Sequence, residues 1–314
     1  MPNVVRLLSV ALLGIALLTA CGGSGSSTSN STMNLNVTDS PVDNASSVVI
    51  QVTGVELKPS GGGNSVTVTF SSPMQIDLLT LQNGRTASLL TGASLPAGKY
   101  DWMRLMVSTG SDNAVAGSFV EVNGAQFPLI IPSGEQNGLK LVQGFTLTAN
   151  QTGSFTIDFV VRQSITAPAG QQVGGVQAYV LSPVLHLISN GQAGEISGTV
   201  ALATLQGLSP SCFDSNGNSA AHVYIFSGAG ATLTDIQVDP MTGLVPAGHI
   251  NPVVTPPVTQ SSGQYTYTQS FLPAGTYTLA LACGTDDPAT ADKLTFSAPA
   301  MATVTAGQTS TVNF

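Results

Sequence analysis

Three oxygen-bearing side chains in the second half of the chain have a spacing that suits a bound cation. Asp214, Asn216 and Asn218 alternate with small residues, so their oxygens could converge on one Ca²⁺ ion. The standard twelve-residue calcium loop has Gly at position 6 and Glu at position 12, where this chain has Ser219 and Ile225. An Asn-Gly turn between strands explains the same residues, and we favour it while keeping Ca²⁺ as the alternative.

Two further acidic groups raise the same question. Asp39 and Asp43 flank a proline near the start of the first predicted domain, where they could bind a cation or ligand at its rim. Asp and Ser also commonly satisfy the backbone N–H groups of turns, and we favour this explanation while keeping the ligand site as the alternative. Asp286, Asp287 and Asp292 could add cation ligands, or they form a solvated acidic loop.

The residue types of catalysis are present but have no catalytic spacing. His186, His222 and His249 stand apart from one another, and His186 lies between two leucines of a predicted strand. The sequence contains no HExxH zinc motif, no GxSxG nucleophile elbow and no phosphate-binding P-loop. We therefore predict a protein that is not an enzyme and has no cofactor, apart from the Ca²⁺ alternative.

The composition indicates a sheet-built protein that does not bind nucleic acid. Charged residues make up 8% of the 314 residues, hydrophobic residues make up 42%, and the net charge is −8. Such a chain can bury a core, but it lacks the Lys and Arg that displace counterions from phosphates. Its 34 Gly and 18 Pro suit many short strands joined by turns.

Hydrophobic residues alternate with a period of two along most of the chain, as in half-buried strands. In residues 48–57 the apolar positions change parity after Gly54, which predicts a β-bulge. The sequence L-P-A-G-x-Y occurs at residues 95–100 and again at 272–277, so both halves of the chain should begin a strand in the same way.

These patterns predict an all-β protein with two tandem β-sandwich domains, residues 33–189 and 194–314, separated by the small polar sequence SNGQAG. The first domain should close with a long strand over residues 176–188, interrupted by Pro183. The second should end in a hairpin over residues 303–314.

The N-terminus predicts export and lipid anchoring. Residues 1–20 contain one Arg followed by a short apolar run, and they end in Leu-Thr-Ala before Cys21, which resembles the lipobox of bacterial lipoproteins. The resemblance implies that residues 1–20 are a signal peptide and that Cys21 carries the lipid, palmitate included. Residues 21–32 are then the lipidated cysteine and a flexible, Gly/Ser-rich tether.

Cys212 and Cys283 are the two remaining cysteines, and both fall in the second domain. In an oxidising periplasm an isolated pair of this kind should form a disulfide. A free thiol pair and a metal-binding pair are the alternatives, although metal sites usually have closer Cys and His spacing.

Residues 33–189 resemble the bacterial lipoprotein family with domain of unknown function 4382. The resemblance depends on the lipobox, the opening V-T-D-S-P-V-D at residues 37–43, the strand at residues 48–57 and the sequence I-D-L-L at 76–79. It implies an Ig-like or transthyretin-like β-sandwich on a lipid anchor, and it implies no activity. The second domain is similar to carboxypeptidase-regulatory-like or transthyretin-like sandwiches through its turn chemistry.

We therefore interpret the chain as a lipid-anchored envelope protein, attached to the outer membrane of a Gram-negative bacterium. Its predicted role is a non-enzymatic binding or structural module for a glycan, peptide or protein ligand. The predicted ligand surface is the acidic loop set of the second domain with the exposed, Pro-rich segment 243–263. The alternative is a periplasmic hydrolase or carbohydrate-processing enzyme, which would need convergent carboxylates or a His in a pocket.

Overall fold

A computed structural model gives the fold. It describes residues 29–40, 45–108, 117–131, 138–167, 169–208 and 211–314. The predicted signal peptide, Cys21 and Asp43 lie outside the described residues, so their predicted roles stay predictions.

The described residues are almost entirely β-structure, which confirms the predicted all-β class. The first fifteen strands are β1 (Asn30–Ser40), β2 (Ser47–Pro59), β3 (Val66–Asp77), β4 (Ala87–Pro96), β5 (Gly98–Val107), β6 (Phe119–Val122), β7 (Ala125–Ile130), β8 (Leu139–Leu141), β9 (Phe145–Leu147), β10 (Thr152–Val160), β11 (Ile165–Thr166), β12 (Gln172–Val173), β13 (Val176–Gln177), β14 (Tyr179–Leu181) and β15 (Leu185–Ser189). The remaining strands are β16 (Ala193–Val200), β17 (Ala221–Ser227), β18 (Thr259–Ser261), β19 (Gln264–Pro273), β20 (Gly275–Cys283), β21 (Ala300–Val304) and β22 (Thr309–Thr311). The helical elements are α1 (Val161–Ser164), α2 (Leu202–Gly207) and the 3₁₀ turns Leu78–Leu81 and Asn190–Gln192.

Strands β1–β11, β14 and β15 form the first sandwich, and β12 and β13 form a separate two-stranded sheet. One sheet has the order β15-β10-β1-β4, and a larger sheet has the order β11-β14-β7-β6-β2-β5-β8, with β3 added to β2 and β9 to β5. Alternate residues of β1 and β10, among them Leu35, Ile157 and Phe159, are fully buried between the sheets. β1 begins at Asn30, three residues before the predicted domain start, because β4 and β10 supply backbone partners there.

The predicted bulge in β2 is confirmed at Gly54. The register of β2 shifts between Val52 and Gly54 against both β3 and β5. A Cβ at this position would lie 2.6 Å from the carbonyl oxygen of Val68, so only glycine fits without displacing β3.

Strands β16–β22 form the second sandwich, with one sheet of order β18-β19-β16-β22 and another of order β17-β20-β21. Ile196, Val223 and Leu279 are fully buried between these sheets. The predicted disulfide is confirmed: Cys212 and Cys283 are bonded, with Cα atoms 4.9 Å apart, and both are buried. It ties the loop before β17 to the end of β20.

The repeated L-P-A-G-x-Y sequence builds the same structure twice, as predicted. In each copy one strand ends at the proline and the next begins at the glycine. Tyr100 Oη donates a 2.7 Å hydrogen bond to the Pro96 carbonyl, and Tyr277 Oη donates one of 2.7 Å to the Pro273 carbonyl. Each tyrosine hydroxyl thus links the strand that follows the turn to the last residue of the strand that precedes it.

Two predicted elements are wrong in detail. The single closing strand over residues 176–188 is three short strands, β13, β14 and β15, which pair with β12, with β7 and β11, and with β10, respectively. The terminal hairpin is not formed, because β21 pairs with β20 in one sheet and β22 pairs with β16 in the other. In both places the chain crosses between sheets, which alternation of residues cannot predict.

Replacing both Cys212 and Cys283 by Ala should lower the free energy of unfolding by about 2–4 kcal/mol, because the bond closes a loop of 71 residues in the unfolded chain. Guanidinium denaturation measures this loss. Wild-type protein treated with a reductant is the control and should lose a similar amount. An unchanged denaturation midpoint in the double variant would contradict the prediction.

Candidate functional site

The two sandwiches meet around α1, which follows directly after β10. All four residues of this short helix are buried. Gln163 Nε2 donates a 2.6 Å hydrogen bond to the Pro252 carbonyl of the second domain, and Asn251 Nδ2 donates one of 3.1 Å to Gln163 Oε1. Ser164 Oγ donates to the Val160 carbonyl and accepts from the Val184 backbone N–H. The helix therefore joins the domains through buried polar contacts.

Arg162 carries the charge at this junction. Its side chain is 1% exposed, and its guanidinium carbon lies 5.6 Å from the ring centroid of Tyr224 in the second domain. Tyr224 Oη donates a 2.7 Å hydrogen bond to Asp286 Oδ2, and the Ile236 N–H also donates to this carboxylate. Burial raises the pKa of Asp286 to about 6, while the Arg162 charge and the Tyr224 hydrogen bond counteract part of that rise.

Asp286 also belongs to a group of three carboxylates, with Asp235 and Asp292, whose oxygens lie within 4.8 Å of one another. The solvated acidic loop considered from the sequence is therefore wrong for Asp286, which is 1% exposed. Each carboxylate already accepts hydrogen bonds: Asp235 from Gln237 and from the Asp292 backbone, and Asp292 from the Asp287 backbone. These contacts account for the group without a cation.

The residues that the sequence proposed for Ca²⁺ lie in different domains. Asp39 is buried on β1 beside Phe159 of β10, whereas Asp214, Asn216 and Asn218 lie in an exposed loop before β17. Asp214 Oδ1 accepts 2.8 Å hydrogen bonds from the backbone N–H groups of Asn216 and Asn218. The hydrogen bond from the Asn218 side chain is the main cause of a lowered pKa of Asp214. This geometry is that of a turn stabilised by its own aspartate.

The Pro-rich segment 243–263 is exposed over residues 244–248, as predicted, but it is packed against the domain over residues 252–258. Val254, Thr255 and Val258 are buried, and the Pro256 carbonyl accepts a hydrogen bond from the Val223 N–H of β17. The segment thus covers the free edge of β17, since carbonyl groups can serve an edge strand without a regular ladder. This packing weakens the prediction that the segment is the ligand surface.

A cleft of about 460 Å³ opens at the junction of the two domains. The first domain contributes Asp158 of β10 and His186 of β15, which are direct neighbours across the antiparallel strand pair. The second domain contributes Val253 and residues 271–277, which include the second L-P-A-G-x-Y turn. Strand alternation places Asp158 on the face of β10 opposite the core residues Ile157 and Phe159.

Asp158 is the unusual residue of this cleft. It is 3% exposed, and its Oδ1 has no hydrogen-bond partner among the described residues. Burial raises the pKa of Asp158 to about 7, and burial lowers the pKa of His186. At neutral pH the cleft therefore holds an uncharged imidazole beside a carboxyl group that is close to half ionised.

The backbone of the cleft wall also departs from ordinary geometry at Phe271, which has a φ of +58°. The other non-glycine residues with positive φ in the described ranges are Asn and Ser, which tolerate this region better. Such backbone strain persists only where surrounding contacts enforce it, and it is concentrated at ligand-binding sites. Phe271 directly precedes the turn that forms the wall of the cleft.

A second cleft at the junction, of about 270 Å³, is lined by Arg162 and Asp286. Arg162 and Asp286 interact with each other and with Tyr224, and Asp287, which also lines this cleft, accepts a hydrogen bond from the Ala289 N–H. These charged groups therefore already have partners. Neither Asp158 nor Arg162 is predicted from the sequence as a functional residue. The available signal was a pair of charged residues on the strand and helix of an unusually apolar stretch, in a chain with 8% charged residues.

Comparison with solved structures finds distant similarity to several bacterial proteins. A leucine-rich repeat protein from Bacteroides thetaiotaomicron VPI-5482 matches with a TM-score of 0.23 and 13% identity, over 91% of this chain and 26% of that one. The TIE protein of Bacillus anthracis gives 0.20 and 12%, over 90% and 34%. The minor pilin of Streptococcus agalactiae gives 0.20 and 12%, over 90% and 94%. This chain thus spans only a quarter to a third of the first two, and at these TM-scores none of the likenesses bears on function.

No curated protein matches the chain. Within the described residues there is no helix with the length and apolar character needed to cross a membrane. The family model "Domain of unknown function (DUF4382)" matches residues 30–183, which agrees with the resemblance read from the sequence. Residues 30–183 are therefore a DUF4382 domain.

Proposed function

We propose that this chain is a lipid-anchored envelope protein whose two β-sandwich domains act together as a non-enzymatic binding module. The observation that carries the binding role is the cleft between the domains, which contains a buried carboxyl group without a hydrogen-bond partner among the described residues. Clefts of about 300–1,000 Å³ with few polar groups are typical of small-molecule sites. The anchoring role rests on the lipobox-like sequence that ends at Cys21.

A binding module of this kind needs domains that keep their relative position, because the cleft has one wall in each. The buried contacts of α1 supply that constraint. Arg162 of the first domain lies over Tyr224 of the second, and Gln163 is hydrogen-bonded to Pro252 and Asn251. Separating the domains would expose these groups or leave them unpaired, which opposes opening of the cleft.

A second candidate function is acid–base catalysis in the same cleft. A carboxyl group with a pKa of about 7 beside a neutral imidazole is a pair that can donate and accept protons near neutral pH. Against it, Asp158 is the only carboxylate among the described residues of the cleft, whereas glycoside hydrolysis usually uses two. Release of product from chromogenic glycosides or esters, abolished by Asp158→Asn, would favour catalysis over binding.

The anchor is tested with Cys21→Ser. The wild-type protein should incorporate labelled palmitate and sediment with membranes, and the variant should do neither, because serine lacks the thiol to which the lipid is attached. Ser24→Ala in the tether is the matched control and should behave like the wild type. Equal labelling of the Cys21→Ser protein would overturn the anchoring role.

The junction is tested by a double-mutant cycle. Arg162→Met should lower the free energy of unfolding by about 3–5 kcal/mol, because it leaves Asp286 buried without the neighbouring positive charge. Combining it with Asp286→Asn should cost less than the sum of the two single changes, as measured by urea denaturation. Arg104→Met is the control: Arg104 pairs with Glu56 at a partly exposed site, and its loss should cost about 1 kcal/mol or less. Strictly additive effects of Arg162→Met and Asp286→Asn would argue against a coupled junction.

A further inference from the structure

We infer that the cleft between the domains binds the primary ammonium group of a small organic ligand, with Asp158 as the counter-ion. The inference names a ligand class for the proposed binding role and therefore depends on that role, but it is independent of the lipid anchor. It is carried by the geometry of the cleft and by the chemistry of the side chains that line it.

Among the described residues, Asp158 lacks the partners that a buried carboxylate needs. A carboxylate that is almost completely removed from water needs hydrogen-bond donors or a positive charge, and burial without them is costly. Asp158 receives neither from the described residues, although it lies at the wall of an open cleft. A ligand that enters this cleft can supply both, because an ammonium group carries three N–H donors and a full positive charge.

The other titratable groups that face Asp158 carry no positive charge at neutral pH. His186 on the neighbouring strand and Tyr277 of the second domain are the other titratable side chains among the described residues of the cleft. Burial lowers the pKa of His186, so it is uncharged at neutral pH, and the Tyr277 hydroxyl already donates to the Pro273 carbonyl. No Lys or Arg is among these lining residues. The cleft therefore offers nothing to balance an anionic ligand, and the net charge of −8 also favours cations.

The lining of the cleft suits an organic cation better than a metal ion. Metal ions such as Ca²⁺ need six or more oxygen ligands, several of them carboxylates, and Asp158 is the only carboxylate that lines the described part of the cleft. The remaining wall is largely apolar, with Val253, Phe271 and Leu272 among its members. A short alkyl chain attached to the ammonium group would lie against this wall, which a hydrated metal ion could not use.

The test is isothermal titration calorimetry of the full chain with n-butylammonium chloride, which is charged at neutral pH, and with n-butanol, its neutral analogue of similar shape. Butylammonium should bind at least about tenfold more tightly than butanol, since its hydrogen bonds to the carboxylate are charge-assisted. Asp158→Asn keeps the shape of the side chain and should weaken butylammonium binding by about 10- to 100-fold. Asp101→Asn, at an exposed carboxylate of β5, is the matched control and should bind like the wild type.

Proton release gives a second, independent readout. Because the pKa of Asp158 is about 7, roughly half of it is protonated at pH 7, and pairing with an ammonium group should expel about 0.5 proton per ligand bound. Titrations in phosphate and in MOPS, whose ionisation enthalpies differ, measure this number. Asp158→Asn should release none. Release that persists in this variant would overturn the inference.

A stability measurement shows that Asp158→Asn folds and checks the titration without ligand. The folded-state pKa of Asp158 lies above its usual value, so its ionisation opposes folding: stability is retained at pH 4 and is lost as the pH rises through 7. The melting temperature of the wild type should therefore fall between pH 4 and pH 8 relative to that of Asp158→Asn. A constant difference across this range would contradict a buried, unpaired carboxyl group and the inference with it.

The outcomes separate the inference from the proposed function. If butanol or methyl glucoside binds as tightly as butylammonium and Asp158→Asn changes neither, the cleft is a binding site for neutral ligands, and the ammonium inference is wrong while the binding role stands. If butylammonium, butanol and methyl glucoside all fail to bind in the calorimeter, both the inference and the binding role of the cleft fail. Fractionation of the Cys21→Ser variant still decides the anchor.

Discussion

The buried guanidinium of Arg162 constrains how the two sandwiches dock against each other. Arg162 lies just after β10, on the short helix that connects the two sheets of the first sandwich, and its guanidinium lies over Tyr224 of the second. A charge in this place is tolerated only with compensating partners, and Asp286 and Tyr224 belong to the other domain. The domains must therefore dock in one arrangement, and that arrangement creates the walls of both clefts.

The same docking explains why two carboxyl groups of similar burial, those of Asp286 and Asp158, differ in their hydrogen-bond partners and neighbouring charge. Asp286 accepts hydrogen bonds from Tyr224 and Ile236 and lies near a positive charge, so its environment is complete. Asp158, on the preceding strand, faces the second domain without such partners among the described residues. A ligand-binding role is thus more consistent with the Asp158 cleft than with the cleft beside Arg162, because an unpaired polar group gains most from a new partner.

Parts of this structure follow from local sequence rules and parts do not. The bulge at Gly54, the shared strand entry of the two L-P-A-G-x-Y copies and the bond between Cys212 and Cys283 are predicted from the sequence, because each depends on a few neighbouring residues or on cysteine chemistry. The hydrogen bonds of Tyr100 and Tyr277 across these turns are seen only in the structure. The partners of β22 and of the strands after residue 176 depend on crossing between sheets, which residue alternation does not encode. In the sequence Asp158 has the position of an ordinary outward-facing residue, because it alternates with the core residues Ile157 and Phe159, and the second domain supplies the opposite wall of the cleft that it lines.

The strand order β15-β10-β1 has a mechanical consequence. β10 is parallel to β1 and antiparallel to β15, the last strand before the second sandwich. The end of β15 therefore lies at the same end of this sheet as the beginning of β1. A pull between the beginning of β1 and the second sandwich would act on that one end, and it would separate the backbone hydrogen bonds of these strands one after another rather than load them together in shear.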